Sequence, residues 1–170
     1  ECDMSCMVSD LLMSLKQVSR WPRNLLLSRE EKVSQKMEVK SFLRELPDPL
    51  FGGSLYNEWL EAGQCEDPGE RADLIFNLLQ HDNLPLENFR NIQYLFRFLY
   101  EVSEMEDRNK MTASNLAIVI TPNVIWDNEG TSDPMDITVS SRLARVVEQI
   151  ISQYQWFFKV QFLLFDIEVV

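Results

Sequence analysis

Phe89, Ile92, Leu95, Phe96, Leu99 and Val102 recur at intervals of three or four residues. A strand would send neighbouring members of that set to opposite faces, whereas a helix gathers them on one side. The spacing predicts a core helix from Leu86 to about Met105, and a stripe so apolar must be covered by other elements. Helical segments elsewhere can cover it. Leu143, Val146, Val147, Ile150, Ile151 and Tyr154 mark a final long helix. Ser28 followed by Glu31 matches a capping box, opening a helix to about Leu46 whose apolar face is Val39, Phe42, Leu43 and Leu46. Pro47 and Pro49 prevent its continuation. Met7 to Val18 carries a weaker helical rhythm, broken by Trp21-Pro22.

Shorter helices follow from local signals. Ser54 can cap one running through Glu61 and closed by Gly63. Asp67-Pro68 is a cap and first-turn pair for a helix to about Gln80. Thr112 caps an apolar helix, Ala113 to Ile120, stopped by Pro122. Residues 126–136 are polar, hold Gly130 and Pro134, and form a loop. Val160 to Val170 fits either a short strand or an irregular tail. With no internal repeat and no strand-pairing signal, the expected fold is all-α, a single-domain helical bundle.

The chain has 170 residues, 45% of them apolar, which suits one globular domain with a substantial core. Its 16 Lys+Arg stand against 27 Asp+Glu, a net charge of -11 that argues against a nucleic-acid partner. Cys2, Cys6 and Cys65 show no metal-ligand spacing and suit a reducing compartment, although Cys2 and Cys6 could oxidise. The sequence has no span of about 20 apolar residues and no signal peptide, so no direct membrane insertion is expected. A cytoplasmic protein follows, with any membrane recruitment left to domains outside this chain. Residue 1 is Glu, which leads us to expect a fragment or a processed product.

Independent catalysis has little to work with. His81 is the single histidine, and zinc sites or His-based triads need more. The five glycines are scattered in turns and build no phosphate-cradling motif. No metal, cofactor or catalytic group is expected. The acidic residues Glu101, Glu104, Glu106 and Asp107 are expected on solvated helix faces. A chain of this kind is expected to act through another protein's active site rather than on a small substrate of its own.

One row of charge stands out against the acidic background. Lys32, Lys36, Lys40 and Arg44 lie four residues apart, which places them on one helix face where like charges repel. Such a row suits an anionic partner. It ends in Lys40-Ser41-Phe42-Leu43-Arg44-Glu45-Leu46-Pro47-Asp48-Pro49-Leu50-Phe51, which resembles the signature segment of the Rho GTPase-activating (RhoGAP) domain family. Asn109-Lys110-Met111-Thr112, followed by Asn115-Leu116-Ala117 and by Pro122-Asn123, resembles that family's second conserved block. The resemblance covers residues 36–158 and is nearest to members that also carry a membrane-bending BAR domain. Residues 1–35 form a partly helical segment that matches poorly, and 159–170 form an apolar tail.

The resemblance implies a helical domain that binds a Rho-family small GTPase (Rho, Rac or Cdc42-like) in its GTP state and promotes hydrolysis. It implies an activator in signalling to the cytoskeleton, not itself an enzyme. By position, Lys40, Arg44 and Asn115 match supporting polar residues of the family, and Pro122 and Asn123 match the loop after the second block. Taken singly, Lys40 fits an ordinary surface lysine, Arg44 a partner of Asp48 or Glu45, and Asn115 a group satisfying free amides. Taken together they favour a docking face.

Two departures from the family pattern bear on activity. The family's arginine finger sits in a Gly-x-x-Arg loop a few dozen residues before the Lys40 position, and Glu1 to Ser5 contain neither residue. Arg20, Arg23 and Arg29 lack the finger's context. A catalytically impaired binding or scaffold module is therefore the alternative. Thr121 stands where the family usually has glycine, and a β-branched residue resists positive φ, so a shifted loop is expected there.

Overall fold

The computed structural model describes residues 43–80, 82–128, 130 and 136–158. The expected helices at Met7–Val18 and over most of Ser28–Leu46, and the tail from Val160, lie outside these residues. Only Leu43 and Arg44 represent the end of the basic helix. A 3-10 turn, Gly53–Leu55, leads into α1, Tyr56–Gln64. Then come α2, Pro68–Leu78, α3, Leu86–Ser103, the single-turn α4, Glu106–Asn109, α5, Ala113–Val124, and α6, Ile137–Ser152. A further helical stretch covers residues 154–158. Among the described residues there is no strand.

Several helix ends follow the expected chemistry. The Asp67 carboxylate accepts from the Gly69 and Glu70 N–H groups, both at 2.8 Å, with Pro68 in the first turn. Thr112 accepts from the Asn115 N–H at 3.0 Å, and Asp136 from Thr138 at 2.8 Å. The core helix runs as its apolar spacing requires, with Phe89, Ile92, Leu95, Phe96 and Leu99 all buried.

Three expectations are corrected. Ser54 does not cap α1, whose first turn instead continues the 3-10 turn before it. Gly63 lies inside α1 rather than closing it. It is buried because α6 crosses there: a Cβ on Gly63 would sit 2.3 Å from the Arg142 carbonyl oxygen. Pro122 does not stop α5, which continues to Val124. A proline lacks the N–H owed to the carbonyl four residues back, but one turn from a helix end that loss is a single bond.

The hub of the bundle is α6, which packs against α1, α2, α3 and α5. Its Leu143, Val146, Val147, Ile150 and Ile151 are all buried. Burying each such side chain contributes about 1.5–3 kcal/mol. A polar bolt joins α2 to α6: the buried Arg71 donates to the Gln149 side-chain carbonyl and, at 2.8 Å, to the Cys65 carbonyl. Gln149 in turn donates to the Pro68 carbonyl at 2.7 Å. An aromatic string ties residues 154–158 to α3. Tyr154 stacks on Tyr100 at 5.7 Å, and Phe158 lies 4.9 Å from Tyr154 and 5.7 Å from Phe89.

Candidate functional site

The segment after Arg44 is fastened by three helices at once. Leu43 is fully buried and Arg44 is exposed, so the last helical residues turn the guanidinium outward. Pro47 and Asp48 stay exposed, while Pro49, Leu50 and Phe51 plunge into the core. There the Leu50 carbonyl accepts from Asn88 of α3 at 3.0 Å. The Phe51 carbonyl accepts from the Trp59 indole of α1 at 2.9 Å, and the Phe51 N–H donates to the Val124 carbonyl, the last of α5, at 3.2 Å. The Phe51 ring meets Trp59 edge-on at 5.0 Å and Phe96 at 5.7 Å. Gly52, at φ 75°, makes the turn that follows, a conformation glycine adopts without strain. The two sequence motifs are thus neighbours in space, joined through Phe51 and Val124.

The second motif is built in layers. Asn109 closes the connection into α5 by accepting from Met111 N–H and donating to the Val102 carbonyl, both at 2.7 Å. Lys110 adopts the left-handed conformation at φ 60°, reversing the chain so that Thr112 can cap α5. Asn115 is exposed, and its amide reaches back to the Lys110 carbonyl at 3.4 Å. One turn on, Ile118 and Val119 are exposed, at 63% and 41%, and Pro122 is exposed one turn further. These four positions share one face at helical spacing. The sequence motifs point to Asn115 and Pro122, not to Ile118 and Val119. Their neighbours Leu116, Ala117 and Ile120 are apolar too, so the sequence carried no contrast to mark the outward pair.

Asn123 departs from this group. It is 1% exposed, and its amide donates to the Val119 and Ile120 carbonyls at 2.8 and 3.3 Å, while its own side-chain oxygen is buried without a partner. An unpaired buried acceptor costs about 1–3 kcal/mol. Thr121 needs no unusual backbone: it is helical and buried, and its hydroxyl donates to the Ala117 carbonyl at 2.7 Å. The shifted loop expected from this threonine is therefore not found, because the position lies inside α5.

Charge at the site is simple. Asp48 does not serve Arg44. Its carboxylate accepts from the Gly53 N–H at 3.2 Å and from the Asn128 amide at 2.7 Å. Lys40, Arg20, Arg23, Arg29, Cys2, Cys6 and His81 lie outside the described residues. Glu101, Glu104, Glu106 and Asp107 are exposed as expected. Among the described residues no group of acidic, histidine or cysteine side chains is placed to hold a metal. A groove of ≈ 640 Å³ is bounded by Ala72, Asp73, Tyr100 and Trp156 and draws on neither motif. No helix among the described residues is long and apolar enough to cross a membrane. The arrangement can present a cation, an amide and an apolar pair to a partner's surface.

A family model described as the RhoGAP domain matches residues 8–129. Rho GTPase-activating protein 44 of Rattus norvegicus is 43% identical over 121 residues, covering 71% of this chain and 15% of that protein. Rho GTPase-activating protein 17 of Homo sapiens is 41% identical over 121 residues, covering 71% and 14%. SH3 domain-binding protein 1 of Mus musculus is 40% identical over 117 residues, covering 66% and 17%. The chain therefore spans between a seventh and a sixth of the length of these curated relatives. Among solved structures, the BH domain from GRAF, the GTPase regulator associated with focal adhesion kinase, superimposes with a TM-score of 0.67. It is 22% identical, with 92% of this chain and 80% of that chain covered, a likeness of fold. Human Rho GTPase activating protein 15 gives 0.62 at 25% identity over 86% and 71%.

Proposed function

This chain belongs to the RhoGAP domain family, and on that premise we propose that it docks a Rho-family GTPase in the GTP state and promotes GTP hydrolysis. The observation that carries the reading is the exposed face of α5, with Asn115, Ile118, Val119 and Pro122, fastened beside the turn that presents Arg44. An exposed apolar pair beside a polar amide suits a docking patch. Lys40, four residues before Arg44 in sequence, is the second cation we assign to the partner contact. Phosphoryl transfer needs the attacking water positioned and the charge of the transferring group neutralised. A face that grips the switch regions serves the first requirement, and Asn123 serves it indirectly by tying down the end of α5. The partner is Rho-, Rac- or Cdc42-like, and the compartment is the cytoplasm.

A second reading rests on a specific observation: no Gly-x-x-Arg occurs in the 170 residues. A finger arginine is worth about 10³ to 10⁵ in rate. Without one, the chain binds the GTPase and sequesters or scaffolds it. Single-turnover GTP hydrolysis, run beside titration of each GTPase loaded with a non-hydrolysable GTP analogue, separates the two. Binding with acceleration supports the activator, and binding alone supports the module. Arg44→Ala should lower affinity about tenfold, as expected for a charged interfacial contact, with helicity intact. Unchanged affinity in this variant would remove Arg44 from the face.

A further inference from the structure

We propose that Asp48, Gly53 and Asn128 form a positioning clamp that sets the Arg44 turn at a fixed angle to α5; the inference rests on the docking face described above. Asp48 follows Arg44 by four residues, and Asn128 follows the last residue of α5 by four. Across a sequence separation of 80 residues, the Asn128 amide donates to Asp48 Oδ1 at 2.7 Å. The Phe51–Val124 backbone bond already joins these two segments at one point. The bonds to Leu50 and Phe51 hold the segment beyond Pro49, and the Asp48–Asn128 bond adds a hold on its exposed turn, nearer Arg44.

The clamp is specific in its chemistry. Asp48 presents both carboxylate oxygens to the Gly53 N–H at 3.2 Å, which fixes the plane of the carboxylate and leaves Oδ1 directed at the amide. A Cβ at Gly53 would lie 2.4 Å from Asn128 Nδ2 and 2.8 Å from Asp48 Oδ1. Only glycine lets the amide lie over this turn. Asp48 and Asn128 are both exposed, so their bond adds little to the stability of the bundle. Its effect falls on the relative placement of two segments that each carry part of the docking face. Neither side chain need touch the partner.

The experiment measures affinity of the whole chain for a Rho-, Rac- or Cdc42-like GTPase loaded with a non-hydrolysable GTP analogue, with circular dichroism and thermal unfolding alongside. Asn128→Asp sets two carboxylates against each other and should cost about tenfold in affinity with the fold retained. Gly53→Ala displaces the amide without deleting any hydrogen-bonding group and should show the same defect. The exchange Asp48→Asn with Asn128→Asp restores a carboxylate–amide pair and should recover affinity to within about threefold of the unaltered chain. Arg44→Ala is the control for the face itself. Loss with Arg44→Ala but none with Asn128→Asp overturns the clamp and leaves the face standing. An exchange no better than Asn128→Asp alone overturns it, as does global unfolding of Asn128→Asp, which would make the bond structural. If neither Arg44→Ala nor Asn128→Asp moves the affinity, the docking face falls and the clamp with it.

Discussion

The two sides of α5 are built from the same kind of residue and meet opposite fates. Leu116, Ala117, Ile120 and Val124 are at most 8% exposed, packed toward α3 and α6. Ile118 and Val119, of equal apolarity, stand 63% and 41% exposed. Apolar content explains the first side through burial and leaves the second without a folding role. Single exposed apolar residues are common, but an adjacent pair bracketed by Asn115 and Pro122 on one face fits the docking role proposed above. One helix therefore separates what holds the domain together from the face proposed to meet a partner.

That contrast can be tested side by side. Ile120→Ala, on the inner side, should destabilise the domain by about 2–5 kcal/mol in denaturant unfolding, while the folded fraction keeps its affinity. Replacing Ile118 and Val119 together by glutamate should do the reverse. Unfolding should be unmoved and GTPase affinity should fall about a hundredfold, as for a lost apolar anchor. A large stability loss from the outer pair would erase the distinction between the sides. Thr112→Ala removes the cap of α5, which both sides share, and should cost about 1 kcal/mol with a small accompanying loss of affinity.

The smallest effect concerns α6, which touches only the inner side. The Thr138 N–H holds the Asp136 carboxyl below its ordinary value of 3.8, with Arg142 assisting. A carboxyl whose folded value is depressed contributes stability that is complete above its unfolded value and fades as pH falls through the folded one. Asp136→Ala should lose that part of the acid sensitivity in unfolding curves below about pH 4, and GTPase affinity at neutral pH should not change. A shift in affinity would show that the end of α6 reaches the outer side after all.

Periodicity and caps made most of the bundle legible beforehand. The stripe from Phe89 to Leu99 and the set from Leu143 to Ile151 are buried as their spacing requires. Asp67 and Thr112 cap the helices assigned to them. What escaped were effects that depend on a neighbour. Gly63 has the local look of a helix stop, yet it is a crossing point whose need for a bare backbone arises only from Arg142. Pro122 looks like a terminator because the rule is local, while the tolerance of α5 comes from its position in the final turn. The proposed docking face was half legible. Arg44 and Asn115 are polar residues in recognisable motifs, whereas Ile118 and Val119 lie in an unbroken apolar run where inward and outward cannot be told apart. Asn123 shows the converse, a polar residue of the same motif that turns inward.

The anchoring of Leu50 and Phe51 by Asn88, Trp59 and Val124 bears on how this domain can be altered. The stretch that resembles the family signature is a keystone of the bundle as well as part of the proposed contact surface. Redesigning partner choice by randomising the whole stretch would mostly return collapsed proteins and hide the informative variants among them. A library confined to Arg44 and the outer positions of α5, with Pro49 through Phe51 held constant, would report on recognition alone.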